Sequence, residues 1–151
     1  MREVNLLKNY PKTNRDLEKR SKKTKEQQEI ARRFDREFFD GSRDTGYGGF
    51  NYNIKYWDLV VKDFIKFYNL NNNSSILDVG CGKGFMLYDF KRYLPNAMLK
   101  GVDISSYAIE NSLEDIKKDL VVGDCKNLPF EDNSFDLVIS INTIHNHEIS
   151  D

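Results

Sequence analysis

An acid followed by three alternating glycines is the pattern in this chain that most strongly suggests chemistry. In the stretch SILDVGCGKGF, Asp78 ends a short apolar run, and Gly80, Gly82 and Gly84 follow at every second position. Glycine weakens strands and helices, so three this close together indicate a turn where the backbone must approach something closely. A turn from a strand into a helix also presents free backbone N–H groups to a bound molecule. The pattern therefore predicts a ligand-binding turn.

The spacing of the glycines separates three classes of ligand. A phosphate loop of the Walker A type needs a hydroxyl after its lysine, but Gly84 follows Lys83. A dinucleotide fingerprint needs a glycine where this chain has Phe85, which weakens that interpretation without removing it. Asp78 in front of the turn suits a cationic amino group better than a pyrophosphate. An NAD(P)-binding oxidoreductase domain stays open as the alternative.

Two further acids extend the predicted site. Asp103 ends a second apolar segment, GVDIS, where an acid can accept hydrogen bonds from both hydroxyls of a ribose. Asp124 ends a third segment, VVGDC, and can accept a hydrogen bond from the exocyclic amine of adenine. Ile104 is placed to lie against the adenine ring. Together these residues describe a ligand with an adenosine, no pyrophosphate and a zwitterionic tail.

Alternating strands and helices are needed to bring these acids together. The apolar patterns predict strands over 75–79, 98–104, 120–124 and 135–141, with helices over 85–94 and 106–118. Such alternation with short links is typical of an α/β fold with a doubly wound parallel sheet. In such a sheet ligands bind outside the carboxyl ends of the strands, which is where all three acids fall.

The segment before the first strand is predicted to be helical. Apolar spacing indicates helices over 24–39 and 56–68, separated by the glycine-rich aromatic loop TGYGGFNYN, with Gly41 ending the first helix. We therefore divide the chain into a helical cap extension with this loop, residues 1–53, and a ligand-binding domain, residues 54–151.

Composition excludes several function classes. The net charge of −1 over 151 residues argues against a general nucleic-acid binder. The two cysteines, Cys81 and Cys125, form no zinc-type cluster and have no neighbouring base, which predicts small packing residues and no metal site. With no signal-peptide pattern and no apolar run of membrane length, we expect a cytoplasmic protein that acts away from membranes.

Four stretches of the chain resemble one enzyme family. LDVGCGKG (77–84), GVDIS (101–105), GDCKNLPFEDNSFDLVIS (123–140) and NTIHNHE (142–148) are similar to class I S-adenosylmethionine-dependent methyltransferases. The "LPF…SFD" link is similar to the small-molecule group of that family. The resemblance implies S-adenosyl-L-methionine as cofactor and a small-molecule or sugar-like acceptor. A non-catalytic module that binds the same cofactor is a further alternative.

The resemblance also implies roles for individual residues. It places Asp78, Gly80 and Gly82 at the methionine end of the cofactor, Asp103, Ile104, Asp124 and Cys125 along the adenosine, and Ser140 and Asn142 near the sulfonium.

Two further groups complete the implied site. Tyr47, in the aromatic loop, is expected to be part of a lid over the methyl donor. His145 is the candidate acid/base or acceptor-orienting group, whereas His147 is expected to be a solvated loop residue.

The resembled fold has a seven-stranded sheet, and this chain supplies about four strands. We therefore expect a chain truncated after the fourth strand, with a natural half-domain as the rival explanation. The unpaired edge of the fourth strand then predicts a surface for dimerisation. A chain of this kind is expected to keep a cofactor crevice and to have little or no methyl-transfer activity.

Overall fold

The computed structural model describes residues 3–12 and 23–143 of the chain. In chain order the elements are α1 (Lys25–Arg32), α2 (Arg36–Phe39), α3 (Ile54–Tyr68), β1 (Ser75–Val79), α4 (Phe85–Tyr93), β2 (Met98–Asp103), α5 (Ser106–Glu110), α6 (Glu114–Lys117), β3 (Leu120–Val122) and β4 (Leu137–Ile139). Among these helices there is none with the length and apolar character that a membrane crossing requires.

The four strands form one parallel sheet in the order β3-β2-β1-β4. In this register Asp78, on β1, lies opposite Gly101 on β2 and Ile139 on β4. Strands β2 and β3 are added on one side of β1, and β4 is then added on the other side. The strand order therefore reverses between β1 and β4. This is the arrangement of a doubly wound α/β sheet, which confirms the predicted fold class. In such sheets ligands bind where the strand order reverses.

The core lies on both faces of the sheet because side chains alternate along each strand. Ile76 points into a cluster with buried residues of α3 and α4, among them Phe64 and Phe90. Leu77 and Val79 point to the opposite face, where they pack with Val102 and with the partly buried side chains of Leu128, Phe130 and Phe135. A strand apolar on both faces is what the continuous run before the glycine turn predicts.

The single helix predicted over 24–39 is wrong, because the chain breaks at Phe34. That residue has a φ of 50°, in the left-handed region. The side chain of the next residue, Asp35, accepts a hydrogen bond from the backbone N–H of Glu37 at 2.9 Å and begins α2. An aspartate that caps a new helix competes with continuation of the preceding one. Here the cap at Asp35 forms, and the preceding helix ends.

The later elements are shorter than predicted. The helix expected over 106–118 is two short helices, with the hydroxyl of Ser112 donating to the carbonyl of Ile109 between them. Strands β3 and β4 end at Val122 and Ile139 rather than at 124 and 141. The first strand has the predicted limits, and α3 begins two residues early because Asn53 caps it.

Candidate functional site

The glycine turn joins β1 to α4 through left-handed backbone conformations. Gly80, Gly82 and Gly84 have φ values of 82°, 56° and 73°, which residues with a side chain rarely adopt. The backbone N–H of Gly80 donates to the carbonyl of Val102 at 2.7 Å. The turn is therefore fixed against the end of β2. A glycine stands at each of its three left-handed positions, which explains why glycine occurs there at every second residue.

The three glycines leave room for different neighbours. A Cβ on Gly80 would lie 1.9 Å from the hydroxyl of Thr143, and one on Gly82 would lie 3.3 Å from the ring of Phe50. A Cβ on Gly84 would meet the side chain of Leu120 at 2.8 Å, so this glycine serves the packing of α4 against the sheet. Gly80 and Gly82 are thus approached by the segment after β4 and by the aromatic loop, and Gly84 is approached by β3.

Asp103 links the end of β2 to the glycine turn. One carboxylate oxygen accepts a hydrogen bond from the backbone N–H of Gly82 at 2.7 Å, and the other accepts one from Ser105 at 2.9 Å. Burial raises the pKa of Asp103, and these two N–H groups act against that rise. A carboxylate oxygen offers more than one acceptor position, so both oxygens can still accept from a ligand hydroxyl.

Asp78 is the most perturbed acid of the crevice. Burial, and then the negative charge of Asp103, raise its pKa to about 7. A buried carboxyl group and a partly buried one on neighbouring strands make a place where a cation is stabilised. The thiol of Cys81 has its pKa raised by burial and by the same two acids, so it stays protonated at neutral pH and is a poor nucleophile.

The predicted adenine side is more open. Ile104, which follows β2, is 55% exposed and so offers an apolar surface beside the crevice. Asp124 does not close β3 as expected but lies two residues beyond it, where its carboxylate accepts a hydrogen bond from the backbone N–H of Lys126 at 2.9 Å. Capping this turn is therefore one role of Asp124. Cys125 is half-buried. Its burial, and then the charge of Asp124, raise the pKa of its thiol.

The residues after β4 turn back toward the glycines. Asn142 has a left-handed φ of 61°, and Thr143 then reaches Gly80. The hydroxyl of Ser140, at the carboxyl end of β4, is buried and has no hydrogen-bond partner among the described residues. A buried hydroxyl without a partner is costly, which makes Ser140 available to a ligand. His145 and His147 lie outside the described residues.

The aromatic segment, defined here as residues 36–50, lies beside the glycine turn. The rings of Tyr47 and Phe50 are 4.5 Å apart, and the ring of Phe50 is 5.0 Å from that of Phe85 at the start of α4. Tyr47 is 41% exposed, and its ring also contacts those of Phe38 and Phe39. The structure thus brings the predicted lid residue close to the predicted cofactor turn.

Two charged residues of this region were missed by the sequence analysis. The amine of Lys83, inside the glycine turn, donates to the carboxylate of Asp40 at 2.6 Å. The only signal in the sequence was a lysine in a glycine turn that lacks the other residues of a phosphate loop. Its partner is far away along the chain, so no local pattern could identify the pair.

These residues fit S-adenosylmethionine. The buried Asp78 and the partly buried Asp103 can receive a cationic amino group and a ribose, and the buried hydroxyl of Ser140 has no partner within residues 3–12 and 23–143. The exposed side chain of Ile104 can cover an adenine face.

Comparisons with known proteins agree with this fit. Residues 77–150 match the family described as "Methyltransferase domain". A relative named "Arginine-hydroxylase NDUFAF5, mitochondrial" from Mus musculus is 37% identical over 70 residues, 46% of this chain and 20% of that protein. A demethylmenaquinone methyltransferase from Thermotoga maritima is 37% identical over 68 residues, 44% of this chain and 30% of that protein. The matched segment therefore spans less than a third of either relative.

A solved structure shows the same fold. It is a "putative s-adenosyl-l-methionine-dependent methyltransferase" from Methanococcus maripaludis with a TM-score of 0.54 and 21% identity, covering 62% of this chain and 45% of that one. The parallel sheet, the acids at the ends of its first two strands and the family match lead to one conclusion. Residues 77–150, about half of the chain, belong to a methyltransferase domain, and the described residues have the fold of the class I S-adenosylmethionine-dependent methyltransferases, whose cofactor is S-adenosyl-L-methionine.

Proposed function

We propose that the chain binds S-adenosylmethionine at the carboxyl ends of its strands and transfers the methyl group to a small-molecule or sugar-like acceptor. The observation that carries this proposal is the pair of acids at the glycine turn, the buried Asp78 and the partly buried Asp103. Asp78, with Gly80 and Gly82, would hold the methionine end. Asp103 would accept from the ribose hydroxyls.

The remaining contacts follow the same order along the crevice. Ile104, Asp124 and the backbone of Cys125 would hold the adenine, whereas Ser140 and Asn142 would face the sulfonium, with Tyr47 above it. Support comes from the exposure of Ile104 and from the buried hydroxyl of Ser140.

The main contribution of the protein to methyl transfer would be to position the reactants. The bound cofactor supplies a methyl group that its sulfonium already activates. The chain must hold the acceptor in line with that methyl group and exclude water, and such positioning supplies most of the acceleration. An acceptor that loses its proton early also needs a base, and we assign this role to His145.

A small acceptor is supported by charge and by one relative. The near-neutral chain lacks the positive charge that binding a large nucleic acid requires. The relative from Thermotoga maritima is named for its action on demethylmenaquinone. The mouse relative is named as an arginine-hydroxylase, so acceptors and reactions differ among the relatives.

The domain division, location and partners remain part of this proposal. We assign residues 1–53 to a cap and residues 54–151 to cofactor binding, in a cytoplasmic protein. Strand β4 is last in the described sheet and Val138 is 56% exposed, which supports a dimer contact along that edge.

Transfer from methyl-labelled cofactor tests the acceptor class. The chain would be incubated with a cell extract, which is then separated into small molecules, protein and nucleic acid. We expect label only among the small molecules, and at a low rate. Label in nucleic acid or protein would contradict the proposal. Loss of the label with His145→Ala, together with unchanged cofactor affinity, would support a catalytic histidine over a binding module.

A further inference from the structure

Lys83 is buried to a degree that is rare for lysine. Only 4% of the residue is exposed, although it lies in the turn between β1 and α4. A buried ammonium group needs a charged partner or several hydrogen bonds. Its amine lies 2.6 Å from the carboxylate of Asp40 and 5.7 Å from the centre of the Tyr107 ring. The side chain of Lys83 therefore binds the aromatic segment, through Asp40, and contacts α5, through Tyr107.

Asp40 joins three parts of the chain. One carboxylate oxygen accepts from Lys83 and from the hydroxyl of Tyr107 at 2.7 Å, and the other accepts from the backbone N–H of Phe50 at 2.9 Å. Partial burial raises the pKa of Asp40, but the hydrogen bonds from Lys83, Phe50 and Tyr107 outweigh it and lower the pKa below 3.8. The carboxylate is thus charged at neutral pH.

These bonds set the position of the aromatic segment over Gly82. Phe50, held by Asp40, has its ring 3.3 Å from the place of a Cβ on Gly82, and the ring of Phe39 is 3.5 Å from the same place. The two rings lie 5.5 Å apart and form one surface with Tyr47. This surface covers the glycine to which the methionine end of the cofactor is assigned.

We propose that Asp40 is a positioning residue that, through Lys83, holds the aromatic segment over the methionine end of the bound cofactor. It thereby retains the methionine tail and leaves the adenosine unaffected. The inference rests on the proposed placement of the cofactor. The asymmetry follows from the contacts. The rings positioned by Asp40 meet Gly82, whereas in the described part of the chain Asp40 bonds to Lys83, Tyr107 and Phe50 and not to Ile104 or Asp124, the residues assigned to adenine.

Two ligands that differ only in the tail provide the test. Dissociation of S-adenosylhomocysteine and of adenosine would be measured for the intact chain and for Asp40→Asn, which keeps the size of the side chain and removes its charge. Hydrogen bonds to a charged group are among the stronger ones in proteins, and Asp40→Asn removes that charge. We therefore expect S-adenosylhomocysteine to dissociate at least about 10-fold faster, and adenosine to change less than about 2-fold.

A matched control lies in the same segment. Asp44→Asn makes the same chemical change at an exposed carboxylate, and it should leave both rates unchanged. If Asp40→Asn does not fold, Lys83→Met removes the same ion pair and leaves Asp40 bonded to Phe50 and Tyr107, so it should give the same pattern.

The outcomes separate the inference from the proposed function. Equal changes for both ligands, or no change in either, would overturn the positioning role while leaving the cofactor site in place. An intact chain that binds adenosine but not S-adenosylhomocysteine would overturn both.

Discussion

The carboxylate of Asp103 accepts a hydrogen bond from the backbone N–H of Gly82 at 2.7 Å, and this bond joins the end of β2 to the glycine turn after β1. The proposed ribose contact and the proposed methionine contact are therefore parts of one hydrogen-bonded unit. A change at Asp103 should disturb both.

Replacing Asp103 tests this unit. Asp103→Asn keeps the shape but presents an NH₂ group to one of the two backbone donors, and it removes the charge that strengthens bonds to the ribose hydroxyls. We expect affinity for S-adenosylhomocysteine to fall about 10- to 100-fold, measured by equilibrium dialysis. Asp132→Asn, at an exposed loop acid, is the control and should have no effect. Affinity within about 2-fold of the unchanged chain would argue against the ribose role.

The raised pKa of Asp78 predicts a pH dependence of binding. Its pKa is about 7 in the free protein, and a cationic amino group beside it favours the charged carboxylate. Below that pH binding must release a proton, so affinity for S-adenosylhomocysteine should fall about 10-fold per pH unit from pH 7 to 5.5 and level off above the pKa.

Calorimetry in two buffers of different ionisation enthalpy measures this proton release directly. Asp78→Asn, which cannot ionise, should bind more weakly and lose the pH dependence over the same range. A dependence that persists in Asp78→Asn would assign it to another group and refute the prediction.

A second network should control stability rather than binding. The hydroxyl of Tyr52 donates to the fully buried carboxylate of Asp89 at 2.6 Å, and Arg92 donates to the same oxygen at 2.7 Å. The other oxygen of Asp89 is buried with no partner among the described residues. Burial and the bond to Asp89 raise the pKa of Tyr52 to about 12, so the phenol stays protonated at neutral pH.

Tyr52→Phe leaves a buried carboxylate with one fewer donor. The free energy of unfolding should fall by about 1–3 kcal/mol, measured by urea denaturation at pH 7. Tyr68→Phe makes the same change at an exposed ring on α3 and should cost less than about 0.5 kcal/mol. Equal losses in the two variants would show that the Asp89 bond contributes nothing specific.

Local patterns predicted the sheet and the acids, and they failed where a competing cap or a distant partner decides the structure. The limits of β1 follow from an apolar run that ends at a glycine turn, and the parallel order follows from alternating strands and helices. The break at Phe34 depends on capping by Asp35, which competed with a helical stripe that looked continuous.

The ion pair between Asp40 and Lys83 spans 43 residues, and each partner alone looks like a surface charge. The periodicity of apolar residues along the sequence does not predict a contact between residues this far apart. The placement of Ser140 and Tyr47 near the crevice was predicted through family resemblance, and their roles in binding stay predictions.

The most direct test of the account is titration calorimetry of the 151-residue chain with S-adenosylhomocysteine and, separately, with NADH. The two acids, Asp78 and Asp103, should accept the amino-bearing ligand and disfavour a pyrophosphate. The account predicts saturable heat with S-adenosylhomocysteine, strongly reduced by Asp103→Asn, and no binding of NADH. Binding of NADH without binding of S-adenosylhomocysteine would contradict it.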